Sequence, residues 1–516
     1  MPDAEIRTTI IGAILTLALM ILIRTAWISD DAAITVRTVL NFIHGYGPVF
    51  NIDERVQAYT HPLWFLLISA LSVIFGNPFY TIFVLSITIS FFVFWLLISQ
   101  ATNFYAGLLA TSVLILSKAY MDFSTSGLEN PLSHLLVIAG IIFSYRSVEN
   151  DRIYDQIICF LSCSLLYLSR PDLLVLIGPF FLVVLFKTYR SLKKTIQILA
   201  IISFPVLIWT AFSLIYYGFP FPNTAYAKLG TGISLLESAN QGWFYFLDSV
   251  SRDPITLPTI ALGLIIGFKS SVIGFSLALG CVFYLAYIVT IGGDFMSGRF
   301  FTPPLLVAAI ICSRSSLSIF QVKILAIATG LLGLANINAN LLSGSFYPHN
   351  NNQIISLSGI ADERGGYFQQ RGLLLSARSS FYYPEWGDNE IKTVIIACGG
   401  IGYASINSGP STHFIDECAL ADPLLARLPA QYNPKWRIGH FIRQIPTNYM
   451  ESVKKGVNLL ADSTTKKYYD SIRVITRGPL FERERLYEIL RINLGLVKKP
   501  DWDLYKYRLI PPSSSG

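Results

Sequence analysis

Long apolar runs separated by short polar loops dominate the first two thirds of the chain. Runs of spanning or near-spanning length lie at roughly 10–28, 62–75, 79–99, 104–118, 131–145, 157–169, 173–187, 195–217, 257–268, 271–291, 303–313 and 322–342. Because a helix needs about 20 predominantly apolar residues to cross a bilayer, this pattern predicts a polytopic α-helical membrane protein. The first run is followed by no small-residue cleavage site, so we interpret it as an uncleaved helix rather than a signal peptide.

Basic residues indicate how these helices are oriented, because cytoplasmic loops are enriched in Lys and Arg. The clearest cytoplasmic cluster consists of Lys187, Arg190, Lys193 and Lys194. Counting crossings from this cluster and from an inside N-terminus gives a conflict of one crossing if 62–75, 79–99 and 104–118 all span. We therefore predict that one of these three is short or re-entrant, which leaves about eleven spans and puts the polar loops on the extracytoplasmic face.

The composition becomes polar and mixed from about Ser343. This change predicts a boundary between a transmembrane domain (1–342) and an extracytoplasmic soluble α/β domain (343–516). Residues 391–397 indicate a buried strand, and the Gly399–Gly402 segment after it is a partial glycine fingerprint without dinucleotide spacing. A glycan-facing surface and ordinary solvated loops are both compatible with the polar residues that follow, which are His413, Asp416, Glu417, Asp422, Arg437 and His440.

Composition agrees with a membrane protein. Hydrophobic residues make up 53% of the 516 and charged residues only 14%, against about 25% charged residues in soluble domains. The net charge of +7 comes from interleaved signs rather than a basic stripe, which argues against nucleic-acid binding and for anionic lipid or a lipid phosphate. Residues 231–251 indicate an amphipathic helix on the bilayer surface.

Of the six cysteines, four lie in apolar runs, where cysteine behaves as a small hydrophobe. Cys159 and Cys163 share a helix face, but no His or acidic partner stands at ligand spacing, so no metal site is predicted there. Cys398 and Cys418 lie in the C-terminal part. A disulfide between them is possible if that part lies outside the cytosol.

The candidate chemistry lies in the polar loops. Asp30 and Asp31 follow the first apolar run directly, and uncompensated carboxylates so close to hydrocarbon are costly enough to suggest a function. The first extracytoplasmic loop (29–61) continues with polar and aromatic residues. Four later loops carry charges that a simple turn does not need: SGLENPL (126–132), SRPD (169–172), YGFPFPNTAYAK (217–228) and GGDFMSGRF (292–300).

These motifs, together with SDDAAITVRTVLNFIHGYGPVFN, VQAYTHPLW, DECALADPLLARLP and WRIGHFIRQIP, resemble the GT-C class of membrane glycosyltransferases. Within that class the chain looks most like the terminal arabinofuranosyltransferase family of mycobacterial cell walls. The resemblance implies transfer of D-arabinofuranose from a polyprenyl phosphate carrier to a glycan or protein hydroxyl outside the cytosol. It also implies a protein of the bacterial cytoplasmic (inner) membrane.

The resemblance also implies roles for residues. Asp30 matches the general base, and Asp31 positions the acceptor or helps Asp30 hold Mg²⁺ or Ca²⁺, a cation that this class does not always require. The expected phosphate-binding cations are Arg170, Lys228 and Arg299. The residues expected to contact the sugar or acceptor are Arg37, Tyr59, His61, Glu129, Asn223, Tyr226 and Asp294.

Two departures from the family pattern bear on sugar or acceptor preference. Asp172 and Leu173 follow Arg170 and Pro171 where Glu and Gly are expected, and His61 takes a place usually held by Asn. The acceptor, the sugar and the stereochemical outcome stay open from sequence. The alternatives are a transporter or flippase of a lipid-linked sugar, for which mid-bilayer polar residues and an internal repeat are expected, and a sensor with a glycan-binding tail.

Overall fold

The computed structural model describes residues 4–150, 152–188, 192–336, 354–387, 390–431 and 436–505. The helices before residue 337 are α1 (Ala4–Thr25), α2 (Asp30–Ile43), α3 (Pro62–Phe75), α4 (Pro78–Ser99), α5 (Phe104–Leu116), α6 (Lys118–Phe123), α7 (Asn130–Asn150), α8 (Ile153–Ser169), α9 (Leu173–Thr188), α10 (Leu192–Tyr216), α11 (Asn223–Leu229), α12 (Leu235–Arg252), α13 (Thr256–Phe268), α14 (Val272–Ile291), α15 (Thr302–Ser313) and α16 (Ile319–Ala335). The later elements are α17 (Glu363–Arg371), β1 (Thr393–Ala397), α18 (Ile401–Asn407), β2 (Thr412–Asp416), α19 (Tyr449–Lys455), α20 (Ser463–Arg477) and α21 (Arg483–Asn493).

The predicted polytopic helical architecture is confirmed. Among the described helices, α1, α4, α7, α10 and α14 each contain a stretch long and apolar enough to cross a membrane. Several shorter apolar helices, including α5, α13 and α16, pack among them. The total of about eleven spans stays a prediction.

The segments that connect the apolar helices lie at two opposite ends of the helix bundle. We call one of them the loop end, and it contains segments 26–61, 124–130, 169–172, 217–230 and 292–301. Trp27 Nε1 donates to the Asp122 carbonyl (2.9 Å) there, and the Tyr59 and Tyr217 hydroxyls lie 2.9 Å apart. At the opposite end, the Thr102 amide donates to the Ser313 carbonyl (3.2 Å). The motifs singled out in the sequence therefore gather at one end of the bundle.

Helix α3 begins and ends at the loop end. His61, just before it, lies 3.2 Å from Glu129, and the carbonyl of Gly76, just after it, accepts from the Tyr383 hydroxyl (3.4 Å). Asn77 then donates to the Phe381 carbonyl (3.1 Å). Both ends of this 14-residue helix thus contact the loop end or the C-terminal part packed on it, which favours α3 as the predicted short or re-entrant segment among the three candidates.

The C-terminal part packs directly on the first loop. One apolar core contains residues of α2 and α3 together with Phe381, Trp386, Tyr403 and Phe441. The predicted boundary at Ser343 lies outside the described residues. Within this part, β1 and β2 pair in parallel, with Thr393 opposite Thr412 and Ala397 opposite Asp416.

The sequence placed the buried strand at 391–397, and that detail is wrong. Strand β1 is there but largely accessible, whereas β2 is buried along its whole length. The described sheet has two strands, so one edge of β1 has no neighbouring strand to cover it. Cys398 and Cys418, which follow the two strands, form a disulfide.

Helix α12 is amphipathic, as the sequence predicts. Its N-terminus carries a capping box of Ser234 and Glu237, and Trp243 and Leu247 are exposed on one face. The opposite face packs on the 292–301 loop, where the Tyr245 hydroxyl donates to the Met296 carbonyl (2.9 Å). An exposed apolar face beside a membrane bundle supports the prediction that α12 lies on the bilayer surface.

Candidate active site

A buried carboxylate, Glu129, holds three motifs together at the loop end. Its Oε1 accepts from Arg299 Nη2 (2.9 Å) and lies 3.7 Å from Arg170 Nε, and its Oε2 lies 3.2 Å from His61 Nδ1. Burial opposes ionisation, but the interactions with Arg299, His61 and Arg170 together lower the pKa of Glu129 to about 2. Glu129 is therefore an anion that orients the surrounding cations, since a proton acceptor near neutral pH needs a higher pKa.

The glycine-rich loop (292–300) carries Asp294 and Arg299, which form an ion pair. Arg299 Nη1 donates to Asp294 Oδ2 (3.4 Å), and Arg299 Nε donates to Asn130 (3.4 Å). Gly293 has φ of +72°, and a Cβ on it would lie 2.5 Å from the Tyr245 ring. The glycine thus lets the loop lie directly on α12, which fixes where Asp294 and Arg299 stand.

Arg170 lies between α8 and α9. Its Nη2 donates to Asp172 Oδ2 (2.5 Å) and to the Tyr284 hydroxyl (3.0 Å), and the guanidinium lies over the Phe300 ring. Its Nη1 is buried and has no hydrogen-bond partner among the described residues. A buried guanidinium with a free donor is costly unless an anion or water completes it, so Arg170 can receive a phosphate oxygen.

Asp30 and Asp31 begin α2 but face different surroundings. Asp30 is 7% exposed, and its Oδ1 and Oδ2 accept from the backbone amides of Tyr403 (2.9 Å) and Gly402 (3.1 Å) at the start of α18. Burial raises the pKa of Asp30 to about 6, although these amides oppose the rise. Both oxygens of Asp30 therefore serve as a cap that joins α2 to α18.

Asp31 is half-buried, and no hydrogen bond or ion pair within the described ranges joins its carboxylate. Its charge acts on His61 and Arg299 on one side and on Glu363 and His440 on the other. Of the two neighbouring carboxylates, Asp31 is the one available to a substrate. The assignment of the base to Asp30 thus has the weaker geometric support.

Glu363, at the start of α17, completes the acidic side of the site and was missed in the sequence. Its carboxylate is 10% exposed and lies 3.3 Å from Arg437 Nη2. Burial and the charges of Asp31, Asp30 and Asp294 raise its pKa to about 8, although Arg437 opposes the rise. No motif marks Glu363. The nearest signal was the pair Arg437 and His440 in the C-terminal loop, for which the sequence leaves open a glycan-facing surface and ordinary solvated loops.

This pKa gives a prediction about stability. Since Glu363 holds its proton more tightly in the folded state than at its ordinary pKa of 4.5, it stabilises the fold below about pH 4.5, and that stability is lost as the pH rises through about 8. Glutamine mimics the protonated form. Glu363→Gln is therefore expected to melt like the wild type at pH 5 and a few degrees higher at pH 8.5, measured by intrinsic fluorescence in detergent. Melting curves offset equally at both pH values contradict this.

Some predicted contacts lie away from this centre. Arg37 is buried and donates to the carbonyls of Phe50, Ser405, Gly409 and Thr412, which ties α2 to the C-terminal part.

The Asn223 side-chain nitrogen donates to the carbonyls of Ala419 (3.0 Å), Leu420 (3.2 Å) and Asp422 (3.0 Å). Its oxygen accepts from Arg427. The polar groups of Arg37 and Asn223 therefore bind other parts of the protein. The sugar-binding role of these two residues stays a prediction with little geometric support.

Tyr59, Tyr226 and Lys228 lie at the edge of the candidate site. Tyr59 is buried, stacks on Phe65 and pairs with Tyr217, and its ring lies 6.3 Å from the His61 ring, so it shapes the wall behind His61. Tyr226 packs on Phe219 and Arg427, away from Glu129. Lys228 is exposed and faces the 436–441 loop, where its charge acts on His440.

The carboxylate pair does not form a metal site on its own. In the described ranges no group of three or more His, Cys, Asp or Glu side chains converges, and the Asp30 oxygens already accept two amides. Mg²⁺ and Ca²⁺ prefer six or more oxygen ligands, so the protein donors here do not fit. The predicted divalent cation stays a prediction, and no step below uses one.

The fold defines a class. The described structure is similar to the crystal structure of the Archaeoglobus fulgidus oligosaccharyltransferase in its apo form, with a TM-score of 0.50 at 12% identity over 81% of this chain and 65% of that one. This likeness concerns the fold alone, which is that of the GT-C membrane glycosyltransferases. No family model matches the chain.

Sequence relatives narrow the class. The chain is 26% identical over 424 residues to a terminal beta-(1->2)-arabinofuranosyltransferase of Mycobacterium tuberculosis, covering 69% of the chain and 65% of the relative. It is 28% identical over 335 residues to the protein of the same name in Corynebacterium glutamicum, covering 54% and 46%. The resemblance indicated by the motifs is confirmed: the chain is a relative of the terminal arabinofuranosyltransferases and spans less than two thirds of their length.

Proposed function

We propose that the protein is a glycosyltransferase that moves a sugar, D-arabinofuranose in the first instance, from a polyprenyl phosphate to an acceptor hydroxyl. The observation that carries this proposal is Asp31. Its carboxylate has no partner among the described residues and lies near a buried group of cations ordered by Glu129, within a GT-C fold. The sugar is proposed from the names of the two relatives, and either a glycan or a protein hydroxyl is the acceptor.

The residues divide the chemistry between them. Asp31 takes the proton of the acceptor hydroxyl, whose oxygen forms the new bond to the anomeric carbon of the sugar. The bond from that carbon to the phosphate oxygen breaks, and its electron pair leaves with the polyprenyl phosphate. Arg170 and Arg299 stabilise the charge that develops on the phosphate. His61 and Asp294 hold these cations and the sugar in place through Glu129 and Arg299.

An apolar groove supports a lipid-linked donor. It lies between α8, α9 and α10, has a volume of about 670 Å³ and is lined by residues such as Phe160, Ile177 and Val206. Two further lining residues, Tyr167 and Leu174, flank Arg170 along the chain. We therefore place the prenyl chain of the donor in this groove and its phosphate toward Arg170. The polar groups gather at one end of the bundle, which favours this enzyme over the transporter alternative.

We propose that the loop end and the C-terminal part face the extracytoplasmic side of the bacterial cytoplasmic (inner) membrane. The basic Lys187 ends α9 at the opposite end, which suits the cytoplasm. The Cys398–Cys418 disulfide, with Cα atoms 5.0 Å apart, suits an oxidising compartment.

The disulfide gives a test of sidedness. In membranes denatured without reductant, a maleimide reagent is expected to label the four free cysteines, and after reduction all six. Closing a loop of 20 residues stabilises a protein by about 3 kcal/mol, so the Cys398→Ser, Cys418→Ser double variant should melt at a lower temperature. Labelling of all six without reductant contradicts the extracytoplasmic placement.

The proposed activity is tested by incubating purified protein in nanodiscs with synthetic polyprenyl phosphate carrying radiolabelled arabinofuranose and an arabinofuranosyl oligosaccharide. We expect a product one pentose longer and release of polyprenyl phosphate. Parallel reactions with EDTA and with added Mg²⁺ check the predicted cation. Absence of transfer to this acceptor and to a panel of glycans and peptides, while donor lipid binds, contradicts the proposal.

A further inference from the structure

The chain segment after the last described transmembrane helix is built into the site. The backbone of Ala361 pairs with the glycine-rich loop: its amide donates to the Phe295 carbonyl (2.7 Å) and its carbonyl accepts from Ser297 (2.9 Å). At the other end of α17, the Arg371 carbonyl accepts from the amide of Ile28 (3.2 Å). Helix α17 therefore spans from the loop that carries Arg299 to the segment 26–29 that leads into Asp31, and Glu363 lies at its start.

A second C-terminal piece lies against the same loop. The guanidinium of Arg437 is 4.9 Å from the Phe295 ring centre. The His440 ring packs edge-on against the Phe295 ring, with the two ring centres 4.8 Å apart. Arg437 Nε donates to the Gly359 carbonyl (2.7 Å) and its Nη2 lies 3.3 Å from Glu363. Gly439, with φ of +76°, lets this turn approach Phe295 closely. Glu363, Arg437 and His440 thus form one wall, which we call the C-terminal wall.

The residues just before Asp31 join both sides of the site: the Ser29 amide donates to the Ser126 carbonyl (2.9 Å), next to Glu129, and the Ile28 amide donates to the Arg371 carbonyl at the end of α17 (3.2 Å). The charge of Asp31 accordingly acts on members of both groups. The donor phosphate belongs with the cations, and a base must touch the acceptor hydroxyl. Resting on the proposed function, we propose that the C-terminal wall is the acceptor subsite. In it, Glu363 and Arg437 bind hydroxyl groups of a carbohydrate acceptor, and they decide which hydroxyl reaches Asp31.

The chemistry of the wall suits a sugar with several hydroxyl groups. Glu363 offers a carboxyl group, Arg437 offers nitrogen donors fixed by Gly359, and Phe295 and His440 supply ring surfaces beside them. Sugar recognition needs polar groups that match neighbouring hydroxyls, and a site built to bind a hydroxyl strongly rejects analogues lacking it. A purely structural brace between the two loops needs the backbone pairing of Ala361 but not the side chain of Glu363.

The test compares Glu363→Ala and Arg437→Gln with Glu385→Ala, which removes an exposed carboxylate of the same part of the chain. We expect the acceptor KM of the first two variants to rise about tenfold, the effect of one lost hydrogen bond. Their donor KM should stay within about twofold and Glu385→Ala should match the wild type. An unchanged acceptor KM, or equal changes for donor and acceptor, overturns the proposal.

A binding measurement separates this inference from the proposed reaction. Saturation-transfer NMR with an arabinofuranosyl oligosaccharide, without donor, should show about tenfold weaker binding to Glu363→Ala than to wild type. Absence of transfer by the wild type contradicts the proposed function, but a binding difference between the two proteins still supports the subsite. Equal binding by wild type and Glu363→Ala contradicts the subsite even where transfer is seen.

Discussion

Replacing Asp31 with asparagine is expected to lower the rate of sugar transfer by about a hundredfold or more, since a general base typically contributes 10²–10⁴-fold. Asparagine keeps the size of the side chain but cannot take the acceptor's proton. Asp31 makes no hydrogen bond or ion pair with the described residues, so the variant should fold and melt like the wild type. Donor binding should persist. The measurement is kcat in the nanodisc transfer assay, with donor-lipid binding measured separately.

Asp30→Asn is the matched control because it changes the adjacent carboxylate. Asparagine has one acceptor oxygen, so it keeps only one of the two amides that Asp30 now caps at Gly402 and Tyr403. We expect a smaller loss of rate, about tenfold, together with a lower melting temperature. The reverse order, with Asp30→Asn inactive and Asp31→Asn active, would return the base to Asp30, where the sequence resemblance places it.

The sequence could predict where the site lies because charged groups are expensive in hydrocarbon. That rule gathers the polar loops at one end of the bundle. Counting crossings from the basic loops also revealed a conflict of one crossing, for which α3 is the favoured short segment. The loops around Glu129, Arg170 and Arg299 meet as the motifs indicate. The hydrophobic pattern and the positions of the charges were enough to predict that these loops lie together.

The choice between Asp30 and Asp31 could not be made from sequence. The two residues are neighbours at the start of α2, and consecutive helix residues point about 100° apart. Which of them faces the site depends on α18, which lies 372 residues further along the chain. A Cβ on Gly402 would lie 2.1 Å from the Asp30 carbonyl, so the glycine that allows this contact looked in the sequence like an ordinary strand-to-turn feature.

Arg37 and Asn223 show a second limit. Both are polar residues in motifs that carry function elsewhere, and both are buried against carbonyl groups of the C-terminal part. A polar residue in a rigid turn looks the same in sequence whether its partner is a ligand or a distant backbone. Glu363 shows the converse, because it belongs to no recognised motif and reaches the site only through the pairing of Ala361 with the glycine-rich loop.

Removal of Arg170 is expected to have the second large effect. Arg170→Gln should lower kcat by about 10²–10³-fold, the usual cost of losing a donor that stabilises developing charge. The reason is that its Nη1 is a buried donor without a hydrogen-bond partner among the described residues, and Tyr167 and Leu174 on either side of Arg170 in the chain line the apolar groove. Arg170→Lys should recover part of this rate because it keeps the charge but loses the two-pronged bond to Asp172.

A lower transfer rate of Arg170→Gln has to be distinguished from a loss of folding stability. Taking away Arg170 leaves the Asp172 and Glu129 carboxylates with fewer cations, and an uncompensated buried charge costs about 3–5 kcal/mol. Arg146→Gln is the control, since it removes a partly buried arginine that binds Gln100 at the opposite end of the bundle. A folded Arg170→Gln protein that transfers sugar at the wild-type rate contradicts the phosphate role. It would leave Arg299 and Lys228 as the cations that stabilise the departing phosphate.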